Sequence, residues 1–139
     1  MSEMNDFNKG VIEEFRANQG KVGGQFDGAP VVLLTTTGAK SGTQRINPLV
    51  ALPEGETLYV FASKGGAPTN PDWFHNLVAH PNVVVEYGDD RFDATANVLT
   101  GAERDRLFAA QVARMPGFGD YEKSAGDRVI PVVELRRKD

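Results

Sequence analysis

Strand-like runs recur along this chain at hairpin spacing, and that rhythm constrains the fold more than any other feature. Val31-Val32-Leu33-Leu34 opens an apolar, β-branched stretch over Pro30–Thr37, the composition of a strand buried on both faces. A second strand is expected over Arg45–Leu52, followed by the turn Pro53-Glu54-Gly55-Glu56 and a third strand, T-L-Y-V-F-A-S, over Thr57–Ser63. Val83–Tyr87 is a fourth, Gly88-Asp89-Asp90 supplies a hairpin turn, and Arg91–Leu99 alternates with Phe92, Ala94, Ala96 and Val98 on one face. Val129–Leu135 is the last. Pro131 inside it implies an edge or a bulge, because proline has no N–H for a ladder.

Helical signals are fewer. Phe7, Val11 and Phe15 fall at i, i+4 and i+8 within Asp6–Asn18, and Gly20, Gly23 and Gly24 end that helix. Its apolar face can dock on the body, on a partner chain or on a membrane surface; Asp6, Glu13 and Glu14 argue against an anionic membrane. Asn70 as N-cap, Pro71 at the first helical position and Asp72 just inside predict a second helix through Trp73, Phe74 and Leu77 to about His80. Thr100 with Glu103 reads as a capping box for a third, to about Arg114. Met115–Gly126 reads as a loop with room for a turn of helix. About six mostly antiparallel strands and three helices, joined by hairpin-length connections, suggest an α+β domain closing into a small barrel and not a doubly wound sheet.

A length of 139 residues suits one domain, 1–139, with residues 1–20 as an N-terminal helical extension. No apolar run approaches the ~20 residues of a membrane span. No cationic start followed by an apolar run marks a secretory signal, so none is expected. The chain has no cysteine, which excludes disulfides, thiolate zinc sites and a cysteine nucleophile and fits the cytosol. Peripheral association with a membrane through the first helix is the other location this reading leaves open.

Charge is distributed more tellingly than its total. A formal net charge of −4 argues against a general nucleic-acid binder. Yet no Asp or Glu occurs from Gly28 to Pro53, where Lys40 and Arg45 lie, nor from Thr57 to Pro71, where Lys64 lies. An acidic protein with a cationic, acid-free middle sets up a local field for an anionic ligand. Strands are poor in acids in any case, and that plainer account explains the same absence.

Two glycine-rich loops sit in these stretches. T-T-T-G-A-K-S-G-T-Q-R-I-N-P (Thr35–Pro48) breaks the first strand with hydroxyls, two glycines and two cations. Successive N–H groups in such a turn form a concave anion site, Lys40 adds a mobile point charge and Arg45 a planar fork. It is not a P-loop: G-x-x-x-x-G-K-[ST] is absent and a strand follows where a helix should. A glycine hairpin with incidental surface cations fits the composition equally. Ala62-Ser63-Lys64-Gly65-Gly66 follows a strand and precedes a helix start, so its N–H groups are placed for a planar ligand's polar edge or simply for a connection.

The remaining candidates are weaker. His75 and His80 are the only histidines; their i, i+5 spacing does not share a helical face and no third ligand is evident, so no metal is expected. No nucleophile elbow supports a Ser-His-Asp triad. Trp73 and Phe74 are of the type that packs cores. Tyr121, in P-G-F-G-D-Y-E-K, is either a ring anchoring its loop or a donor to a substrate oxygen.

Three segments together carry a resemblance: L-L-T-T-T-G-A-K-S-G-T-Q-R-I-N-P-L (Leu33–Leu49), A-S-K-G-G-A-P-T-N-P-D-W-F-H-N-L (Ala62–Leu77) and G-D-Y-E-K-S-A-G-D-R-V-I-P-V-V-E-L (Gly119–Leu135). In order and spacing, from about Phe26 to Leu135, the chain resembles the deazaflavin-dependent nitroreductases and F420H2-dependent quinone reductases of actinobacteria. The resemblance implies a split β-barrel of the flavin-reductase kind binding coenzyme F420, a 5-deazaflavin with a phosphate and an oligoglutamate tail; related barrels use FMN, the alternative cofactor. It assigns Lys40, Ser41, Gly42 and Arg45, with Asn47 and Pro48 beside them, to the phosphate and tail. Ala62, Ser63, Lys64, Gly65 and Gly66 fall along the ring system, and Asn70, Trp73 and Asn76 match the helix motif that follows. Position 39 is Ala where the family often has Arg, and position 74 is Phe where Tyr is common. The implied activity is hydride transfer from reduced F420 to a small electron-poor acceptor (a quinone, enone or nitro compound), with Tyr121 polarising the acceptor oxygen. A non-catalytic carrier of F420 or FMN is the alternative. Split barrels of this kind often form homodimers.

Overall fold

A computed structural model describes residues 3–23, 30–55, 57–62, 70–124 and 129–138. Six antiparallel strands, β1 (Val31–Thr37), β2 (Gln44–Glu54), β3 (Thr57–Phe61), β4 (Asn82–Tyr87), β5 (Asp90–Leu99) and β6 (Val132–Arg137), close into a barrel in the order β1-β2-β3-β6-β5-β4. Four helices accompany them: α1 (Glu3–Ala17), α2 (Asp72–Ala79), α3 (Gly101–Arg114) and α4 (Gly117–Ser124). The expected α+β split barrel is the fold observed.

Both faces of several strands are buried, which is why their sequences run apolar without alternating. One face of each points into the barrel: Val32 and Leu34 of β1, Leu58 and Val60 of β3, Val133 and Leu135 of β6, Val83 and Val85 of β4, Ala94 and Ala96 of β5. Trp73 and Leu77 of α2 pack into the same interior, so that helix plugs the barrel. The outward residues Tyr59, Phe61 and Val132 lie under Leu107 and Phe108 of α3 and Phe118 of α4. Val31 and Leu33 lie under Val11 and Phe15 of α1. The first helix therefore docks on the barrel, reinforced by a two-pronged ion pair in which Arg16 Nε and Nη2 donate to Glu86 at 3.2 and 2.9 Å.

Several elements differ from the expectation. The second helix starts one residue later than its signal: Pro71, not Asn70, is the N-cap (φ −71°, ψ 158°), and its carbonyl accepts the N–H of Phe74 at 3.1 Å. Proline suits that place because its carbonyl, not its missing N–H, is what the first turn requires. The capping box does not form. Thr100 is the N-cap of α3 but makes no side-chain cap bond, and Gly101 after it is left-handed (φ +64°). Glu103 instead accepts from Arg106 at 2.9 Å, and Arg106 also grips Glu54 at 3.1 and 3.2 Å. A charge-assisted fork outcompetes a neutral amide for a carboxylate.

The stretch expected as a loop holds α4. Its glycines weaken helix propensity, but Phe118 and Tyr121 at i, i+3 pack on the outer barrel layer, and tertiary packing stabilises what propensity would not. Pro131 occupies neither an edge nor a bulge. A closed barrel has no edge, so β6 begins after it, and the Pro131 carbonyl accepts the N–H of Ala62 at 3.0 Å. β2 runs through Pro48 and Pro53 to Glu54. Ala51 donates its N–H toward the β1 side, to Pro30 at 2.9 Å, so Pro48 aims its missing donor at the β3 side, where the ladder has not yet begun. Gly24, Glu56, Ser63 to Pro68 and Gly126, which figured in the sequence reading, lie outside the described residues.

Tyr59 gives this layered packing an experimental handle. Burial, reinforced by the negative charge of Glu134, Glu54 and Glu103, raises its phenol above the ordinary 10.0. The folded state thus favours the neutral phenol. The stabilisation is complete below pH 10 and is lost as pH rises from there through the raised folded value. In a spectrophotometric titration one phenol of the three in the chain should ionise later than a free tyrosine. Tyr59→Phe should remove that late phase; its persistence would place the buried phenol elsewhere.

Candidate functional site

Strand register collects the candidate loops at one end of the barrel. Thr37 pairs with Gln44, so the first glycine loop caps the β1–β2 hairpin. Thr35 pairs with Val84, bringing the start of β4 and the preceding α2 to the same end. Phe61 and Leu99 both pair with Val132. The exit of β3, where the second glycine loop springs, therefore meets the entry of β6 behind α4. The opposite end holds the turns at Gly55 and Gly88 and the acids Glu54, Glu86 and Asp90. Each of those acids is ion-paired, to Arg106, Arg16 and Arg137 respectively.

The first hairpin is a tight, self-braced turn. The Gly38 N–H donates to Thr43 at 2.8 Å, and its carbonyl accepts the Gly42 N–H at 3.0 Å. Gly42 is left-handed at φ +72°, which glycine adopts without steric cost. Ser41 turns its Oγ back to accept the Thr43 N–H at 3.1 Å. It fills the space over Gly38: a Cβ there would lie 2.5 Å from Ser41 Oγ and 3.2 Å from the Thr43 carbonyl. The bracing leaves the N–H groups of Lys40 and Ser41 without an acceptor among the described residues, two successive donors at an exposed tip.

Cations flank those donors. Arg45 stands opposite Thr36 and Asn47 opposite Leu34, so both belong to the inward row of β2 that continues as Leu49 and Ala51 into the interior. Arg45 is exposed at the rim, as are Lys40, Ser41 and Gly42. Neither Lys40 nor Arg45 has a carboxylate partner among the described residues. Pro48, on the outward row, is buried opposite Leu33.

The α2 residues divide by task. Trp73 is 6% exposed and belongs to the barrel interior, the core packing its residue type suggests. Asn70 lies half-buried just before the helix. Asn76 reaches the hairpin: its Oδ1 accepts the Ala39 N–H at 3.1 Å, and its Nδ2 donates to Thr36 Oγ1 at 3.3 Å. His75 and His80 are exposed, and no cluster of three or more metal-ligating side chains forms among the described residues.

Of the second loop, Ala62 is buried in the interior cluster, while Ser63, Lys64, Gly65 and Gly66 lie outside the described residues. Tyr121 joins this region through aromatic contacts. Its ring meets Phe118 edge-on at 5.2 Å, and Phe118 meets Phe61, the last residue of β3, at 5.7 Å. The phenol is thus carried on α4, half-buried, beside the root of the second loop. Sequence reasoning missed Thr36 and Phe118. Strand alternation from Leu34 places Thr36 in the inward row, and i, i+3 spacing from Tyr121 points to Phe118; both signals were present.

Residues 8–136 match the family model described as F420H(2)-dependent quinone reductase. An F420H(2)-dependent quinone reductase of Mycobacterium tuberculosis is 36% identical over 127 residues, covering 89% of this chain and 85% of the relative. Among solved structures, an F420-H2 dependent reductase, FDR-A, is similar with a TM-score of 0.71 and 42% identity, over 77% of this chain and 94% of that one. Another, described as a domain-swapped dimer, gives a TM-score of 0.73 at 34% identity, over 97% of this chain and 100% of that one. The haem storage protein HutZ of Vibrio cholerae shares only 14% identity at a TM-score of 0.60, over 95% of this chain and 91% of that one, a likeness of fold alone.

Proposed function

This chain belongs to the F420H(2)-dependent quinone reductase family and is accordingly an F420-dependent oxidoreductase; we propose that its acceptor is a quinone and that the loop-bearing end of the barrel is its active site. The observation that carries the site is the β1–β2 hairpin. Two successive amides and two cations, without carboxylate partners among the described residues, lie together there, while at the opposite end Arg16, Arg106 and Arg137 are held in ion pairs. That donor set fits an anionic tail, with Arg45 offering a fork and Lys40 a point charge.

When bound, F420 supplies the hydride chemistry, delivered from C5 of its reduced deazaflavin ring. The chain's task is to bind, orient and shield. Lys40, Arg45 and the amides of Lys40 and Ser41 hold the phosphate and carboxylates of the tail, while Gly42 keeps the turn tight. Asn47, on the inward row, forms the strand wall beneath, and Pro48 backs it from the outward row. The family resemblance assigns Ala62, Ser63, Lys64, Gly65 and Gly66 to the ring, with Asn70 just before α2 and Trp73 on it assigned to the same cofactor site. Tyr121 donates a hydrogen bond to the acceptor oxygen and then its proton as the quinone becomes a hydroquinone. The family's description favours F420 over FMN and catalysis over a carrier role. We further place residues 1–139 in one deazaflavin-binding domain with 1–20 as its helical extension, working in the cytoplasm. A homodimer is part of this reading, supported by the domain-swapped relative.

Replacing Lys40 and Arg45 together with alanine should weaken F420 binding by about tenfold or more at low ionic strength, with the gap narrowing as salt screens the wild type. Equal affinity in low salt would remove the hairpin from the site. Tyr121→Phe keeps the ring on Phe118 and deletes only the hydroxyl. It should lower quinone turnover about a hundredfold while leaving F420 affinity within about twofold. Wild-type turnover would reduce Tyr121 to a packing residue.

A further inference from the structure

The β1–β2 hairpin is a short, exposed turn, and its own hydrogen bonds fix its shape but not its aim. Those bonds run within the turn or between its two strands. Among the described residues, the side chain that ties the tip to the rest of the barrel is Asn76, on the helix that plugs it. Ala39 N–H can only donate, so the Asn76 atom facing it is the carbonyl oxygen, and the amide nitrogen must then face Thr36. The hydroxyl it meets belongs to a residue only 1% exposed, so this end of the contact is shielded from water. Asn76 itself is anchored by the helix turn that buries Trp73 and Leu77 in the interior.

We infer that Asn76 is a positioning residue: its amide clamps Ala39 and Thr36 together, so that the next two amides and the side chains of Lys40 and Arg45 face one point. The inference rests on the reading of this hairpin as the F420 tail site, and it departs from the direct cofactor contact that the resemblance implies. Ala39 is the residue before the two free N–H groups, and Thr36 stands directly opposite Arg45 in the ladder. One side chain therefore fixes the orientation of both halves of the anion site. Ala39 lends its backbone N–H to this clamp.

The test compares Asn76→Ala, Thr36→Val and the Lys40→Ala/Arg45→Ala pair in three measurements: backbone amide exchange without cofactor, F420 titration, and steady-state kinetics. Asn76→Ala should speed exchange at Ala39 selectively and weaken F420 binding about tenfold. KM for F420 should rise by a larger factor than kcat falls. Thr36→Val keeps the Ala39 bond and loses the other, so it should show a smaller loss of affinity in the same direction. That variant keeps the inference testable if Asn76→Ala fails to fold. Weakened F420 binding with Ala39 exchange unchanged, and no effect of Thr36→Val, would make Asn76 a direct ligand and overturn the inference. Unchanged F420 affinity in Asn76→Ala, beside a loss in the Lys40/Arg45 pair, overturns the inference and leaves the tail site standing. No loss in the Lys40/Arg45 pair overturns the tail site, and the inference with it.

Discussion

Closure of the barrel through β1 and β4 is the constraint on which the rest of the molecule depends. β1 is zipped to β2 along its whole length on one side and to β4 at Leu33, Leu34 and Thr35 on the other. With β3 joined to β6 and β6 to β5, every strand has two neighbours. Closure leaves no ladder edge to satisfy, and it encloses an interior that small and branched side chains alone do not fill. Trp73 and Leu77 complete it from α2. The helix that plugs the barrel is therefore also the helix that lies beside the β1–β2 hairpin.

That double duty links stability to the candidate chemistry. The outer helices α1, α3 and α4 cover apolar strand faces, and α1 and α3 each pair an arginine with the barrel, Arg16 with Glu86 and Arg106 with Glu54. Paired charges at the turn end contribute little field beyond their own neighbourhood. At the loop end Lys40 and Arg45 have no carboxylate partner among the described residues, so the field an anion meets there is not neutralised locally. An oxidoreductase that borrows its chemistry from a cofactor needs little more from its own side chains than such a field, a shielded ring platform and a placed proton donor.

Much of this was legible before any coordinates. Apolar runs, glycine turns and hairpin spacing located all six strands, because local periodicity reports which segments are strands. They erred where long-range contacts override local signals. The glycine- and proline-rich stretch around Phe118 forms a helix because Phe118 packs edge-on against Phe61 and Tyr121 against Phe118. Glu103 abandons the cap because Arg106 is held near both it and Glu54, a residue far away in sequence. Pro131 implied an edge or a bulge because the last strand was read from Val129; β6 begins at Val132, after it.

The sequence by itself determined the strand inventory, the acid-free cationic middle and, through three spaced motifs, the family. Each is a property of residue type and spacing along the chain. Only the tertiary structure decided which loops share an end of the barrel, that Trp73 is interior packing, and that Asn76 grips Ala39 and Thr36. Those facts depend on strand register and on where a helix lands, and both are set by the joint burial of side chains distant in sequence. A motif records that Asn76 belongs with the glycine loop. The fold shows the two hydrogen bonds by which it does so.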